Sequence, residues 1–390
     1  MTTTNKLPLP DNIAKQHSDK LVAKIKQSIR AAGGKISFAD YMNLCLYAPG
    51  LGYYSAGSHK IGIGGDFTTA PEVSPLFSRC LAHHIKDVLI QLPHGDILEF
   101  GAGSGKMAID ILLELQQINS LPEHYFIIEA SADLRQKQQH TIKNSIPKLA
   151  DRIHWLDQIP SEFNGVIVAN EVCDAMPVHL LQFAGNEIKE RYVQVNSDDT
   201  FDWCEDDLSS AELLIQAKNI QNLIADQDYV TEVNLQAKAW LNSVAESLEQ
   251  GAMFIIDYGH PESSYYHLDR DNGTLMCYYQ HHGHDDVFFL PGLQDITAHV
   301  NFSVLAQAAY DKGLDVAGFQ TQADFLIAGG IIDLASVNPG DELTLLKQSA
   351  EIKRLTLPSE MGETFKVLSL TQNLDQLLPR IQLRDQRRKL

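Results

Sequence analysis

Cysteine is sparse and scattered in this chain. Cys45, Cys80, Cys173, Cys204 and Cys277 form no C-x-x-C pair. That spacing argues against a zinc framework or a disulfide scaffold, and free thiols in a reducing cytoplasm are the expectation. Long apolar runs are missing, so no segment reads as a membrane span. Met1 to Asn12 has no apolar signal core and few basic residues, so neither a secretory nor a transit peptide is expected there. Basic residues are outnumbered, 31 Lys and Arg against 50 Asp and Glu, for a net charge of −19. That sign disfavours non-specific binding to nucleic-acid phosphates. Internal repeats and low-complexity tracts are absent. What is present is enough chain for a large core, 390 residues of which 44% are hydrophobic.

The most informative stretch runs from Asp96 to Lys106. Ile97, Leu98 and Phe100 read as a short buried strand, Glu99 sits near its end, and Gly101-Ala102-Gly103-Ser104-Gly105 turns into a helix. Met107, Ala108, Ile111, Leu112, Leu115 and Ile118 carry the helical period. Glycine lets a ligand lie against bare backbone, because it has no Cβ and tolerates unusual dihedrals. A phosphate loop would need glycine where Phe100 stands and Ser or Thr where Met107 stands. A dinucleotide fingerprint would need its third glycine where Lys106 stands. What remains, acidic-x-G-x-G-x-G after a strand, resembles the motif of S-adenosylmethionine methyltransferases.

Three more strands follow. His124 to Ile128 ends in Glu129, placed as in a doubly wound fold to accept both ribose hydroxyls of a nucleoside. Arg152 to Leu156 ends in Asp157, placed to accept an adenine amino group. Gly165 to Ala169 ends in Asn170 and Glu171. Polar strand ends along one rim are what a ligand crevice at the carboxyl ends of a parallel sheet requires.

Around this core, helices are expected over 12–32, 38–46, 75–92, 212–224 and 234–248, with Ser37 and Ser131 as caps. Phe183 and Tyr192 to Val195 flank Gly185-Asn186 as a hairpin. Gly251 to Gly259 reads as strand five, and Phe365 to Leu370 as a final antiparallel strand. Asp295 and Thr297 read as caps of the helix through Phe302 and Leu305. The expected division is an N-terminal helical segment and lid loop over 1–75, a core over 76–177 and 231–375, an insertion over 178–230 and a basic tail over 376–390. No metal is expected: His83-His84 and His281-His282 are adjacent pairs that diverge on extended chain.

Six segments, taken together and in order, resemble one family. They are Gly65 to Pro75, Glu99 to Gly105, Asn170 to Val178, Asp257 to Gly259, Pro291 to Phe302 and Met361 to Phe365. They are similar to the MidA family of S-adenosylmethionine-dependent methyltransferases, whose mitochondrial members assist assembly of respiratory complex I. The resemblance spans about 35–370. It implies a Rossmann-like class I methyltransferase fold: α/β, a mostly parallel seven-stranded sheet, an N-terminal helical segment and an insertion after strand four. It also implies S-adenosyl-L-methionine as cofactor and an arginine of a complex I subunit as methyl acceptor. The family's turn often reads G-P-G-R-G; the arginine is missing here, which could alter contacts at the methionine end.

Methyl transfer needs nucleophile, methyl and sulfur in line, and little acid catalysis at the departing thioether. An arginine acceptor adds a demand for carboxylates, which pair with the planar guanidinium and take up its proton. Glu171 and Asp174 are the expected catalytic pair. Thr68, Thr69, Glu99, Gly101, Gly103, Gly105, Glu129, Asp157 and Asn170 are the expected cofactor residues. Asp66, Glu72, Tyr258 and His281 are assigned to the substrate. Two other functions fit the same residues: a small-molecule methyltransferase with a closed pocket, and a non-catalytic assembly factor that binds the cofactor.

Overall fold

The computed structural model describes residues 7–56, 68–224, 227–336 and 342–390. Its main sheet carries seven strands on one path: β1 Asp96–Phe100, β2 Tyr125–Ile128, β3 Ile153–Leu156, β4 Phe163–Asn170, β5 Leu248–His260, β6 Asp315–Thr321 and β7 Phe365–Gln372. Their spatial order is β6-β7-β5-β4-β1-β2-β3. The pairings β5–β4, β4–β1, β1–β2 and β2–β3 are parallel, while β7 runs antiparallel to both β5 and β6. The expected seven strands gain an eighth, the two residues Val300–Asn301 beside the end of β5. The strand order reverses between β1 and β4, which run parallel, so the crevice opens at the carboxyl ends of that pair.

Helices cover both faces, so the strands read as near-continuous apolar runs. Along β1, β4 and β5 alternate side chains enter opposite cores. Ile97, Val166, Val168 and Phe254 pack with Phe77, Leu81 and Ile111 on one face. Leu98, Ile167, Met253 and Ile255 pack with Leu241, Val244 and Leu305 on the other. Each such side chain contributes about 1.5–3 kcal/mol on burial.

The expected helices form over Asn12–Ala31, Phe38–Tyr47, Pro75–Leu89, Ala211–Gln221 and Leu235–Ser247. Ser37, Ser74, Ser131, Ser210 and Asn234 each accept a backbone N–H at a helix start. The hairpin His179–Ala184 and Glu187–Val195 builds a second, five-stranded sheet. Strand Lys35–Ser37 pairs antiparallel with that hairpin, so the N-terminal segment and the inserted residues share one sheet. The reading of Asp295 as a helix cap is corrected. Asp295 lies in the strand Asp295–Thr297, and the helix Phe302–Asp311 is capped by Asn301, whose carboxamide accepts the Val304 N–H at 3.3 Å.

Candidate active site

At the carboxyl ends of β1, β2 and β4 lies a cavity of about 590 Å³. The glycine turn forms its floor. Gly101, Gly103 and Gly105 have φ of 63°, 55° and 82°, the left-handed region where a Cβ is penalised. Gly101 and Gly103 line the cavity. Gly105 does not; it precedes the helix Lys106–Gln117, and a Cβ there would touch Ile142 at 3.4 Å. Ser104 donates to Glu72 at 2.5 Å, which ties the turn to the segment behind Thr69.

Glu99 is fully buried beneath the turn. One of its oxygens accepts the Tyr125 hydroxyl at 2.8 Å, and the other has no partner. Burial pushes its carboxyl up to about 8. Glu129 accepts the Ser131 N–H and the Gln138 amide, both at 2.9 Å, and burial raises its carboxyl too. Asp157 lines the cavity, but its carboxylate pairs with Arg135 at 2.6 Å and stays 87% exposed. Asn170 donates to Glu171 at 3.2 Å, and its buried carbonyl oxygen has no partner.

Beyond Asn170 the site becomes acidic. Glu171 lines the cavity with a φ of 53°, and its carboxylate accepts the Ala70 N–H at 3.4 Å. Burial, then the charge of Asp174, push it up to about 8. Asp174 is buried behind the cavity wall, accepts the Tyr258 hydroxyl, and is pushed by burial up to about 6. Asp257 accepts the N–H groups of Cys173 and Asp174 at 3.0 and 3.2 Å, which fixes the loop after β4. Asp295, also buried, accepts the Tyr54 hydroxyl on both oxygens at 3.0 Å. Tyr47 stacks on Tyr54 with ring centroids 5.6 Å apart, and both rings line the cavity.

The structure thus gathers Thr69, Glu72, Glu99, Gly101, Gly103, Glu129, Asp157, Asn170 and Glu171 around one cavity. Tyr258 and Asp174 stand behind it as a hydrogen-bonded pair. Thr68 is half-buried and does not line the cavity. The assignment of His281 to the substrate is corrected. It is exposed, with a φ of 64°, in the tight turn between Met276–Tyr279 and His282–His284, and does not line the cavity. Asp66 lies outside the described residues. Residue patterns did not point to Tyr47, Tyr54, Trp240 or Gln138. For Gln138 a signal existed: it sits four residues before Ile142, on the inward face of its helix.

A sulfonium nucleoside fits this environment. Glu72, Glu99, Glu129, Asp157 and Glu171 line the cavity, and among the described residues no Lys or Arg does. The orphan oxygens of Glu99 and Asn170 await donors, and the turn leaves bare backbone for close approach. Such a cation would also relieve the burial of the surrounding carboxylates.

A model of the S-adenosyl-L-methionine-dependent methyltransferase family matches residues 80–320. A protein of Burkholderia thailandensis crystallised with S-adenosyl-homocysteine is 40% identical. The two superpose with a TM-score of 0.94 over 99% of this chain and 100% of that one. Among curated relatives, the protein arginine methyltransferase NDUFAF7 homolog, mitochondrial, of Caenorhabditis elegans is 29% identical over 80% of this chain and 75% of its own. The protein arginine methyltransferase NDUFAF7, mitochondrial, of Danio rerio is 27% identical over 90% and 87%. These names overturn the expected cytoplasmic location, since the relatives are mitochondrial. Unpaired cysteines do not tell one compartment from another. No helix among the described residues is long and apolar enough to cross a membrane. The fold, the acidic cavity over its glycine turn and the match over most of the core lead to one assignment: the chain belongs to this family of S-adenosyl-L-methionine-dependent methyltransferases.

Proposed function

We propose that the chain methylates an arginine side chain of a protein, and that Glu171 and Asp174 engage the guanidinium. The observation that carries this reading is the acidic cluster past the end of β4. Glu171, Asp174 and Asp257 sit together; burial raises all three carboxyls, and neighbouring carboxylates raise Glu171 and Asp257 further. A buried cluster of this sign calls for a cation, and a guanidinium offers five donors in a plane that matches carboxylate geometry. The names of the curated relatives support the same acceptor. The resemblance to the MidA family extends the proposal to a subunit of respiratory complex I.

Bound S-adenosylmethionine supplies an electrophilic methyl group on a sulfonium. Glu129 would accept the ribose hydroxyls, Asp157 the adenine amino group, and Thr69 with the Gly101–Gly105 turn would hold the methionine end. Glu171 would hold one guanidinium nitrogen toward the methyl, with Asp174 set by the Tyr258 hydroxyl behind it. As the nitrogen–carbon bond forms and the sulfur–carbon bond breaks, the nitrogen sheds a proton. A carboxylate whose affinity for protons is already raised is suited to receive it. The N-terminal segment, through Tyr47, Tyr54 and Thr69, would roof the crevice, with Glu72 bracing the turn through Ser104.

The test is transfer of a labelled methyl group to proteins of a lysate, followed by digestion and mass spectrometry. Methylarginine in a protein band, lost in Glu171→Gln, is the expected result. Label confined to small molecules, or to residues other than arginine, contradicts the reading.

A further inference from the structure

The helix Ala132–Ser145 is polar over most of its surface, and the side chains it buries are Gln138 and Ile142. A fully buried amide is unfavourable unless its donors and acceptor are all used. Gln138 uses them on three separate elements. Its Nε2 donates to the Gly103 carbonyl at 3.0 Å and to Glu129 at 2.9 Å, and its Oε1 accepts the Trp155 indole N–H at 2.9 Å. The indole is a donor only, so it fixes which end of the amide is oxygen. The NH₂ end must then face Gly103 and Glu129. One planar group therefore spans the glycine turn, the end of β2 and, through Trp155, β3.

We infer that Gln138 is a positioning residue for the cofactor: its amide, oriented by Trp155, presets the Gly103 turn and the Glu129 carboxylate in ligand-binding geometry. This rests on the assignment of the ribose to Glu129. The bond has two effects. It ties the backbone of the turn to the side chain that grips the sugar, so the ordering needed for binding precedes the ligand. It also supplies a donor to a buried carboxylate and so favours the ionised form that accepts hydroxyl groups. Ser131 and Ala130 provide donors from backbone, which a side-chain change leaves in place.

The experiment is titration of S-adenosylmethionine into the full chain and four variants from pH 5 to pH 8.5. Gln138→Leu keeps the volume and removes every polar atom; affinity is expected to fall roughly 10-fold, the scale of losing one bond to a charged group. Trp155→Phe leaves the amide present but free to turn, and a smaller loss is expected. Gln138→Glu carries the decisive signature. At low pH one carboxyl of the pair keeps a proton and donates to the other, as the amide does, and binding approaches that of the unmodified chain. As pH rises both ionise and repel, and affinity falls much more steeply than in the unmodified chain. A role confined to packing does not generate that slope. In the Gln138 and Trp155 variants the loss should fall on KM for the cofactor rather than on kcat. Affinities within two-fold for all Gln138 and Trp155 variants, or a Gln138→Glu profile parallel to the unmodified one, overturn the inference. Glu129→Ala is the control. If it leaves affinity unchanged, the ribose assignment fails; if it weakens binding while the Gln138 variants do not, the positioning role alone fails.

Discussion

Glu171 is the residue where conformational strain, burial and charge coincide. A non-glycine residue at a φ of 53° is uncommon, and its N–H is tied to the Ile256 carbonyl at 2.9 Å, so the backbone holds the side chain toward the cavity. Glu171 and Glu99 are both pushed up to about 8, mainly by burial. For each, the folded value lies above the unfolded one. Their favourable contribution to stability is therefore complete below about pH 4.5, the ordinary range of a glutamate, and is lost as pH rises through 8. The melting temperature of the ligand-free protein should decline from pH 5 to pH 8.5, and Glu171→Gln should flatten part of that decline while abolishing methyl transfer. Scanning fluorimetry across pH checks this. A flat profile, or one unchanged by the substitution, would show that these carboxyls do not titrate with folding.

At the scale of elements, two glycines set how closely the parallel strands meet. Gly165 in β4 and Gly251 in β5 both have φ of 146°. A Cβ on Gly165 would lie 1.9 Å from the Asp96 carbonyl oxygen, and one on Gly251 would lie 1.8 Å from that of Gly165. They occupy the amino ends of the strands, away from the crevice. Gly165→Ala should cost on the order of 2–4 kcal/mol in urea unfolding, through steric collision with backbone, yet leave cofactor affinity of the folded protein unchanged. Loss of affinity without loss of stability would contradict that division of labour. Much of this element-level architecture is legible in residue order, because strand β1, its turn and the following helix are local. The sequence reading begins a helix at Asn12 and the structure confirms that start, one residue longer than observed at its end. What is not legible is assembly. Asp257 and Asp295 reach the acidic cluster from distant segments, and a lone Asp before a helix reads as a cap until Asn301 is seen to hold that position. Gln138 hides in a polar helix, where only its spacing from Ile142 marks it as inward.

At the scale of the molecule, one sheet creates the crevice and a second closes over its surroundings. Lys35–Ser37 joins the second sheet, and the helix that follows carries Tyr47 to the cavity wall. The N-terminal segment is thereby anchored where it can shape both ligands' approach. The proposed placement lays the nucleoside on the Gly101–Gly105 turn, with its sugar held by Glu129 and its sulfur directed at Glu171. A crystal structure of this chain with S-adenosyl-homocysteine measures that placement directly. The predicted result is ribose hydroxyls within hydrogen-bonding distance of Glu129 and the thioether facing the Glu171–Asp174 end of the cavity. A ligand lodged elsewhere, or a sulfur turned away from those carboxyls, would contradict it.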